Sequence, residues 1–448
     1  MGLVRIGNVG SRPLLLSARH LGPTPRLIRG TTAISTELRL RGLLVAPLAL
    51  LIALLVITPA RDLRDIGSDL PVYLDYGRRL LGGAVPYRAF PLEYPPLALV
   101  PMTLPVLVWP FGTPTFDAYA WLFTIAEGIV AVAGAVLLVK VADRPVGTLA
   151  AWSLLVITAG ASIAWRYDLW PAVLVLAGVV AAERGRPGLA GLALGTGAMM
   201  KIFPIVLVPI LAARAIALGD RAGLGRLLLG AAVAVLPIMA LTLALSGTDA
   251  LHWLTYQLDR GLQIESVGAG LLLLLHAVAD HPLTVVVAYS SLQVSSPGAD
   301  TIVAATPFME SLVVLGVCGL ALVRFHLDAR RSGLVPLQRL ATAGVAVLVA
   351  LVVTSKVFSV QYIVWFLPLA PLLPVRQRWL VVAIAAVSSV VYPLNYTHLW
   401  QLDPLLTVVL NVRNLLLVIL LGWLALDLTR DLPGESPAPR TSWVVADP

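Results

Sequence analysis

The sequence predicts an all-α polytopic membrane protein, a bundle of about 12 transmembrane helices. Of its 448 residues, 58% are hydrophobic and only 12% are charged. The mean hydropathy of +0.89 is typical of chains that cross a bilayer repeatedly and lies outside the range of soluble globular domains. Proline and glycine divide the apolar residues into runs, many of them close to the ~20 residues that one crossing requires.

The charged residues between these runs predict the orientation of the chain. Positive charge lies mainly in the N-terminal tail and in the short loops on one side, which is typical of cytoplasmic segments. The net charge of +8 therefore does not indicate nucleic-acid binding. We expect a multi-pass protein of the plasma membrane with both termini in the cytoplasm. The candidate spans are 43–59, 117–140, 147–162, 168–183, 188–199, 202–214, 227–246, 304–323, 337–354, 359–375, 379–394 and 405–427.

Two tails and two large outer loops complete the predicted organisation. Residues 1–41 are predicted to form a mostly irregular, arginine-rich cytoplasmic tail, and residues 429–448 a disordered cytoplasmic tail. The transmembrane domain between them, residues 42–428, carries outer loops over about 60–116 and 247–303. In the first loop, the proline-rich segment Tyr94–Phe111 is predicted to be interfacial or half-inserted, because a full span there would reverse the charge pattern of every later loop.

The first outer loop carries the main candidate for a working site. Residues 61–96 combine five acidic residues with five arginines and four tyrosines. Apolar residues recur at helical spacing after Asp69, which predicts a short amphipathic helix over 70–81 that lies along the membrane surface. Two compatible interpretations follow. Ser68 or Asp69 is the N-cap of this helix, and Asp69 is a carboxylate at the membrane–water boundary that acts as a general base on a sugar hydroxyl.

Lys201 separates two short apolar segments, 188–199 and 202–214. Each is too short to cross a bilayer comfortably, so together they are predicted to form a hairpin that enters from the cytoplasm with Lys201 near its tip. A lone ammonium group at a broken helix in a membrane is costly and is a functional candidate by default. The alternative is a lysine that snorkels to the interface.

Other polar residues recur at the predicted outer ends of spans and in the second outer loop. Together they predict a cavity that opens outward. The alternatives are a polar span flank, ordinary loop charges and, for the arginine in the last span, snorkelling to the interface. The set comprises Arg166, Asp168, Arg260, Glu265, Lys356, Gln361 and Arg413.

Motifs for metals and nucleotides are absent from the sequence. The six histidines show no HxxxH or HExxH spacing, so a zinc site is not expected. The carboxylates of Asp62, Asp65 and Asp69 could together bind a divalent cation, but no metal or other cofactor is predicted. No phosphate-binding loop, GxGxxG motif in the required context or GxSxG motif occurs, so energy from ATP is not indicated.

Several motifs in fixed order extend this interpretation: DLPVYLDYGRRLLGGAVPY with EYPPLALVP, WRYDLWPAVL through MMKIFPIVLVPIL, YQLDRGLQIES, and SKVFSVQYIVWFLPL. As an ordered set they resemble glycosyltransferase family 87 of the GT-C superfamily, over roughly residues 43–427. This family contains actinobacterial α-(1→2)-mannosyltransferases that use polyprenol-phosphate-mannose. The resemblance implies a GT-C-type bundle whose large first outer loop carries amphipathic interfacial helices and the catalytic carboxylate.

What the resemblance implies about function is specific. A mannosyl or related residue would pass from a polyprenyl-phosphate sugar to a glycolipid or glycan acceptor at the outer face, by inverting transfer with Asp69 as general base. The phosphatidylinositol-mannoside branch of the family has a His-His pair where this chain has Gln361-Tyr362, so the acceptor of that branch is not carried over. The predicted donor-phosphate and substrate-binding residues are Lys201, Arg260, Lys356, Gln361, Arg166, Tyr73, Tyr94 and Glu265.

Two other function classes fit parts of the sequence. A lipid or solute transporter or flippase also has many spans, broken helices and buried cations, but it would favour internal repeats and cations at mid-membrane. A non-catalytic membrane scaffold that binds a glycolipid would need the same outer cavity without the general base. In each case the expected partners include membrane lipids and exclude nucleic acid.

Overall fold

The computed structural model describes residues 28–58, 62 and 67–431. Asp65, the first 27 residues and the tail from residue 432 onward lie outside the described residues, and so do the predictions made for them. Within the described part, seven helices are long and apolar enough to cross a membrane, and the chain is a multi-pass, mostly helical membrane protein. They are Phe116–Val139, Pro145–Ala164, Arg221–Asp259, Ala299–Ser332, Leu337–Thr354, Val375–Leu394 and Pro404–Thr429.

Shorter helices and one hairpin join these long helices. In chain order the elements are α1 (Ile28–Ile57), α2 (Leu70–Leu81), α3 (Leu99–Leu107), α4 (Phe116–Val139), α5 (Pro145–Ala164), α6 (Leu169–Glu183), α7 (Pro187–Ala198), α8 (Leu207–Ala217), α9 (Arg221–Ser246), α10 (His252–Asp259), α11 (Val267–Ala279), β1 (Thr284–Ala288), β2 (Ser291–Ser295), α12 (Ala299–Ser332), α13 (Leu337–Thr354), α14 (Val375–Ser389), α15 (Tyr396–Trp400) and α16 (Pro404–Thr429).

Helices lie over the predicted spans with one exception, the segment 359–375. This segment folds as two 3₁₀ turns, Val360–Trp365 and Ala370–Leu372, although most of its side chains are buried. Prolines at 368, 371 and 374 remove the amide donors that an α-helix needs at every turn. Irregular backbone inside a membrane domain persists where it is packed in protein or lines a cavity, and this segment does both.

One further expectation needs correction, and one small element is not predicted. Residues 28–41 are not an irregular tail, because α1 already begins at Ile28 and an Arg41–Glu37 ion pair one turn apart supports it. The all-α prediction also omits the antiparallel hairpin β1–β2. Its valine-rich first strand is typical of β-structure, but a pair of strands this short is easily hidden in a long loop.

The short helix α2 begins and ends where its spacing predicts. Leu70, Tyr73, Leu74 and Gly77 are buried on one face, against α3. The segment from residue 94 is also as short as predicted, with a 3₁₀ turn, Pro96–Ala98, that leads into α3. The amide of Leu97 donates to the carbonyl oxygen of Met199 at 2.8 Å, so the start of this segment is attached to the break between α7 and α8.

Close packing of α7 against α9 holds that break in place. A Cβ atom at Gly191 would lie 1.9 Å from the carbonyl oxygen of Leu227, so only glycine allows the two backbones to approach this closely. On the other side, α13 is buried along almost its whole length and, with the irregular segment that follows it, forms the centre of the main hydrophobic core.

Replacing Gly191 with Ala is expected to destabilise the domain by about 3 kcal/mol, because the methyl group meets backbone that cannot move aside locally. The matched control is Gly225→Ala in α9, where no atom lies within 4 Å of the added Cβ and where alanine favours the helix. Thermal unfolding of both variants in detergent checks this. Equal unfolding temperatures would contradict the packing argument.

Candidate functional site

One cavity of about 640 Å³ collects most of the residues that the sequence singled out. Its walls come from the start of α2, the α5–α6 and α7–α8 connections, α10, the β1–β2 turn, α12 and the irregular segment after α13. Of the nine predicted site residues, only Tyr73 does not line it, and Tyr73 lies directly behind Asp69. The lining members are Asp69, Tyr94, Arg166, Lys201, Arg260, Glu265, Lys356 and Gln361.

Asp69 stands at the first position before α2, but its carboxylate does not cap the helix. Its backbone is helical (φ −81°, ψ −3°), whereas a capping side chain needs an extended residue, so the N-cap interpretation is wrong about what holds the carboxylate. Instead, Tyr73 Oη donates to Oδ2 at 3.2 Å, and Arg166 Nη1 lies 2.9 Å from Oδ1. The side chain remains 31% exposed, which leaves a lone pair available toward the cavity.

Arg166 is a buried partner of Asp69. Its Nη2 donates to the carbonyl oxygen of Gly67 at 3.1 Å and to Tyr392 Oη at 3.3 Å. Burial by itself would lower the pKa of this guanidinium, but the Asp69 carboxylate and nearby tyrosine hydroxyls raise it above the ordinary value. Arg166 therefore stays charged and is committed to positioning Asp69, which leaves little of it for a substrate phosphate.

Tyr73 supports the same carboxylate from within the core. Burial, and then the charge of Asp69, raise the pKa of the Tyr73 phenol, so the phenol stays protonated and acts as a donor. Its ring packs between those of Tyr94 and Tyr167, with centroid separations of 6.3 and 5.6 Å. Because Tyr73 follows Asp69 by four residues, one helical turn places the donor beside the acceptor.

Lys201 forms a second buried ion pair. Its Nζ lies 2.7 Å from Oδ1 of Asp168, which also accepts a hydrogen bond from Trp365 Nε1 at 2.7 Å. The side chain of Lys201 is only 13% exposed, so the snorkelling interpretation is wrong. Four aromatic rings lie within 5.3 to 5.9 Å of the ammonium and stabilise it further by cation–π contacts. They belong to Tyr94, Tyr167, Tyr362 and Trp365.

Arg260 and Lys356 line the same cavity without a carboxylate of this kind, although the Arg260 guanidinium lies 6.0 Å from the centre of the Tyr256 ring. Arg260 Nη1 reaches Gln257 Oε1 at 3.4 Å, and Lys356 Nζ donates to the carbonyl oxygen of Leu258 at 2.6 Å. Among the described residues, no carboxylate lies within ion-pair distance of either cation. These two charges are therefore the ones available to an anionic ligand.

The protonation equilibrium of Lys356 is also shifted toward the neutral amine. Burial lowers the pKa of this lysine. The carboxylates of Asp259 and Glu310 oppose the shift, and the neighbouring Arg260 guanidinium adds to it. An anion bound between the two cations would reverse the effect, since it favours the protonated ammonium.

Glu265 and Gln361 are held by neighbours in the wall. Arg413 is fully buried, with its Nη1 3.5 Å from Oε2 of Glu265 and its Nη2 donating to the Glu265 carbonyl oxygen at 2.6 Å. The snorkelling interpretation of Arg413 is therefore wrong. Burial raises the pKa of Glu265, and Arg413 counteracts that shift. Gln361 accepts a hydrogen bond from Ser359 Oγ.

Three residues in or behind the cavity wall are not among the predicted site residues. Asp168 lies close to Arg166 in the sequence, but only the fold shows that it neutralises Lys201. Glu93 lines the cavity, and its position directly before Tyr94-Pro95-Pro96 is the signal by which the sequence could have identified it. Tyr392 lies in the segment Val390–Leu394 that follows α14, and nothing in its local sequence marks it.

No group of three His, Cys, Asp or Glu side chains among the described residues is arranged to hold a metal ion. Asp65, one of the three aspartates that the sequence offered for a divalent cation, lies outside those residues.

The arrangement can therefore offer a positioned carboxylate, two buried neutralised ion pairs and two available cations in one pocket. Comparisons with protein-family models and with curated protein sequences find no match for this chain.

Proposed function

We propose that the chain is an integral membrane glycosyltransferase. It would move a mannosyl or related residue from a polyprenyl-phosphate sugar to a glycolipid or glycan acceptor at the outer face of the plasma membrane. The observation that carries this proposal is the Asp69 carboxylate, oriented by Arg166 and Tyr73, in the same cavity as the available cations Arg260 and Lys356. The ordered motifs that resemble glycosyltransferase family 87 agree with it.

The proposed reaction needs these two kinds of group and no nucleotide pocket. The acceptor hydroxyl attacks C1 of the sugar while Asp69 removes its proton. The bond between C1 and the phosphate oxygen breaks, and its electron pair leaves with the polyprenyl phosphate. Arg260 and Lys356 stabilise the charge that develops on that phosphate. Attack opposite to the leaving group inverts the configuration at C1.

The ion pairs reduce the number of residues that could bind the donor phosphate. Lys201 and Arg166 were both candidates, but each is neutralised by its own carboxylate, Asp168 and Asp69 respectively. Recruiting either one to a phosphate would leave a largely buried carboxylate without its partner, which is costly. The phosphate site is therefore assigned to Arg260 and Lys356, with Gln361 as a neutral neighbour in the wall.

Helix α12 explains how a lipid-linked donor would reach this cavity. Thr306, Pro307, Glu310 and Ser311 line the cavity from one face. Other side chains of the same helix are large, apolar and exposed, as expected for a lipid-facing surface; these are Phe308, Met309, Leu312 and Leu315. In the proposed arrangement this one helix separates the polar site from the bilayer, so that a polyprenyl chain could remain in lipid while its phosphate enters the cavity.

The direct test is sugar transfer by purified protein in vesicles that contain radiolabelled polyprenyl-phosphate-mannose and a glycolipid extract. The proposal expects label in the glycolipid fraction together with free polyprenyl phosphate. Movement of uncleaved donor across the bilayer would indicate the transporter interpretation instead, and donor binding without transfer would indicate a scaffold. In a deletion strain, the proposal expects a glycan profile that lacks an α-(1→2)-linked mannose.

The pH dependence of donor-phosphate binding is a further prediction. Because the pKa of Lys356 is lowered, its positive charge should be lost below the ordinary lysine value of about 10.4. Affinity for polyprenyl phosphate is therefore expected to fall as the pH rises toward that value. Arginine stays protonated throughout this range, so Lys356→Arg should flatten the profile. Titration of both proteins with polyprenyl phosphate at several alkaline pH values checks this, and superimposable profiles would exclude Lys356 as the titrating contact.

A further inference from the structure

The turn between β1 and β2 has an unusual composition for its shape. It contains two residues, Tyr289 and Ser290, both in the left-handed region with φ of 50° and 52°. A two-residue hairpin turn with positive φ at both positions is normally filled by Asn-Gly or similar pairs, since other side chains introduce strain there. A tyrosine at this position indicates that its ring has a use beyond forming the turn.

The hairpin holds this turn at the cavity. Strand β2 is attached to the preceding loop by hydrogen bonds from Val294 N to Leu262 O at 2.8 Å and from Ile264 N to Leu292 O at 3.0 Å. Side chains of directly opposed residues share one face of a hairpin. The pair Val287 and Leu292 lines the cavity, as Tyr289 and Ser290 do, whereas the adjacent pair that includes Val286 does not.

Aromatic and polar groups meet beside this turn. The ring of Tyr289 is 40% exposed and contacts Tyr256 edge-to-face at 5.4 Å. Trp253, on the same short helix α10, also lines the cavity, and its indole N–H is shielded from solvent without a hydrogen-bond partner among the described residues. The carboxylate-bearing residue Glu93 lines the cavity as well. Its carbonyl oxygen accepts a hydrogen bond from Gln257 at 3.3 Å, which attaches this wall to α10.

This combination is suited to a sugar ring. Aromatic faces cover the apolar C–H face of a pyranose, while a carboxylate can accept hydrogen bonds from its hydroxyl groups. The phosphate of the donor would be repelled by Glu93, and an alkyl chain would leave the buried polar groups unpaired. We propose that Tyr289, Trp253 and Glu93 form the subsite for the sugar ring of the acceptor. Its identification as an acceptor subsite rests on the proposed transferase function.

The test compares Tyr289→Ala with Tyr289→Phe, which keeps the ring, and with Val286→Ala on the other face of the same hairpin. Two measurements are made on the full-length protein in nanodiscs. One is steady-state transfer, with KM for the acceptor and for the donor determined separately. The other is binding of hexyl α-D-mannopyranoside in the absence of donor. Tyr289→Ala is expected to raise the acceptor KM and the glycoside Kd about tenfold, which corresponds to the loss of one good ring contact. The kcat and the donor KM should change little.

The outcomes separate this inference from the function it rests on. If the wild-type protein transfers sugar but Tyr289→Ala has the acceptor KM and glycoside affinity of Val286→Ala, the subsite is overturned and the transferase function stands. If the wild-type protein shows no transfer but binds the glycoside in a Tyr289-dependent way, the transferase function fails and the sugar subsite stands. If the wild-type protein neither binds the glycoside nor transfers sugar, both are overturned. Equal losses in Tyr289→Phe and Tyr289→Ala would indicate a role for the hydroxyl and would overturn stacking by the ring.

Discussion

Replacing Asp69 with Asn is expected to reduce sugar transfer by about 10²- to 10⁴-fold, the usual contribution of a general base. Asparagine keeps the size of the side chain and can accept the hydrogen bond from Tyr73, but it cannot remove a proton from the acceptor. Transfer is measured in vesicles with saturating donor. Donor affinity should be unchanged, because the proposed phosphate contacts are Arg260 and Lys356 and not Asp69.

Two companion variants make this result interpretable. Asp75→Asn lies in the same helix, where Asp75 pairs with Arg79 at an exposed position, and it should transfer sugar at the wild-type rate. Asp69→Glu keeps the carboxylate but moves it by one methylene, and it should retain partial activity. Since Asp69→Asn also removes the charge opposite Arg166, the unfolding temperature must be recorded. Near-wild-type turnover of a well-folded Asp69→Asn protein would exclude Asp69 as the base.

Replacing Arg413 with Met is expected to destabilise the protein by about 3 to 5 kcal/mol. The substitution leaves the Glu265 carboxylate, whose side chain is only 1% exposed, without its counter-charge. It also removes the donor to the Glu265 carbonyl oxygen and the guanidinium that stacks 4.0 Å from the Phe358 ring. The unfolding free energy in a denaturant titration in detergent checks this.

A second substitution identifies the cause of that loss. The double variant Arg413→Met with Glu265→Gln should recover part of the lost stability, because the buried carboxylate is no longer ionised. The control Arg79→Met breaks only an exposed ion pair and should change stability by less than about 0.5 kcal/mol. If Arg413→Met changed the unfolding free energy as little as this control does, the ion pair between Arg413 and Glu265 would not stabilise the cavity wall.

The placement of α2 was predictable because its signal is local. Apolar residues at helical spacing and a proline in the first turn define Leu70–Leu81 without reference to the rest of the chain. The same holds for the polar residues of the cavity: in a chain that is only 12% charged, each charge beside an apolar run stands out because burying it is costly. Eight of the charged residues identified in this way line one cavity or form an ion pair with a residue that lines it. Their chemical roles stay predictions.

The irregular segment after α13 shows the limit of hydropathy. Its apolar composition predicts a span, and the cost of unpaired backbone groups in lipid makes a helix the default. The three prolines prevent a regular helix here. The irregular backbone is tolerated because the surrounding helices bury the segment and because its polar residues line the cavity.

The amino-acid sequence alone determined that this is a multi-pass helical membrane protein, which segments form most of its helices, and which polar residues are too costly to be accidental. These properties depend on composition and on spacing within one turn or one span. Only the tertiary structure decided that Asp69 is paired with Arg166 and supported by Tyr73, that Asp168 neutralises Lys201, and that Arg260 and Lys356 remain available. Each of these partnerships except that of Tyr73 joins residues from different elements, so it depends on how the helices pack. Asp69, which the local sequence could assign as a helix cap, is a carboxylate held at the wall of a cavity, because Arg166 reaches it from the α5–α6 connection.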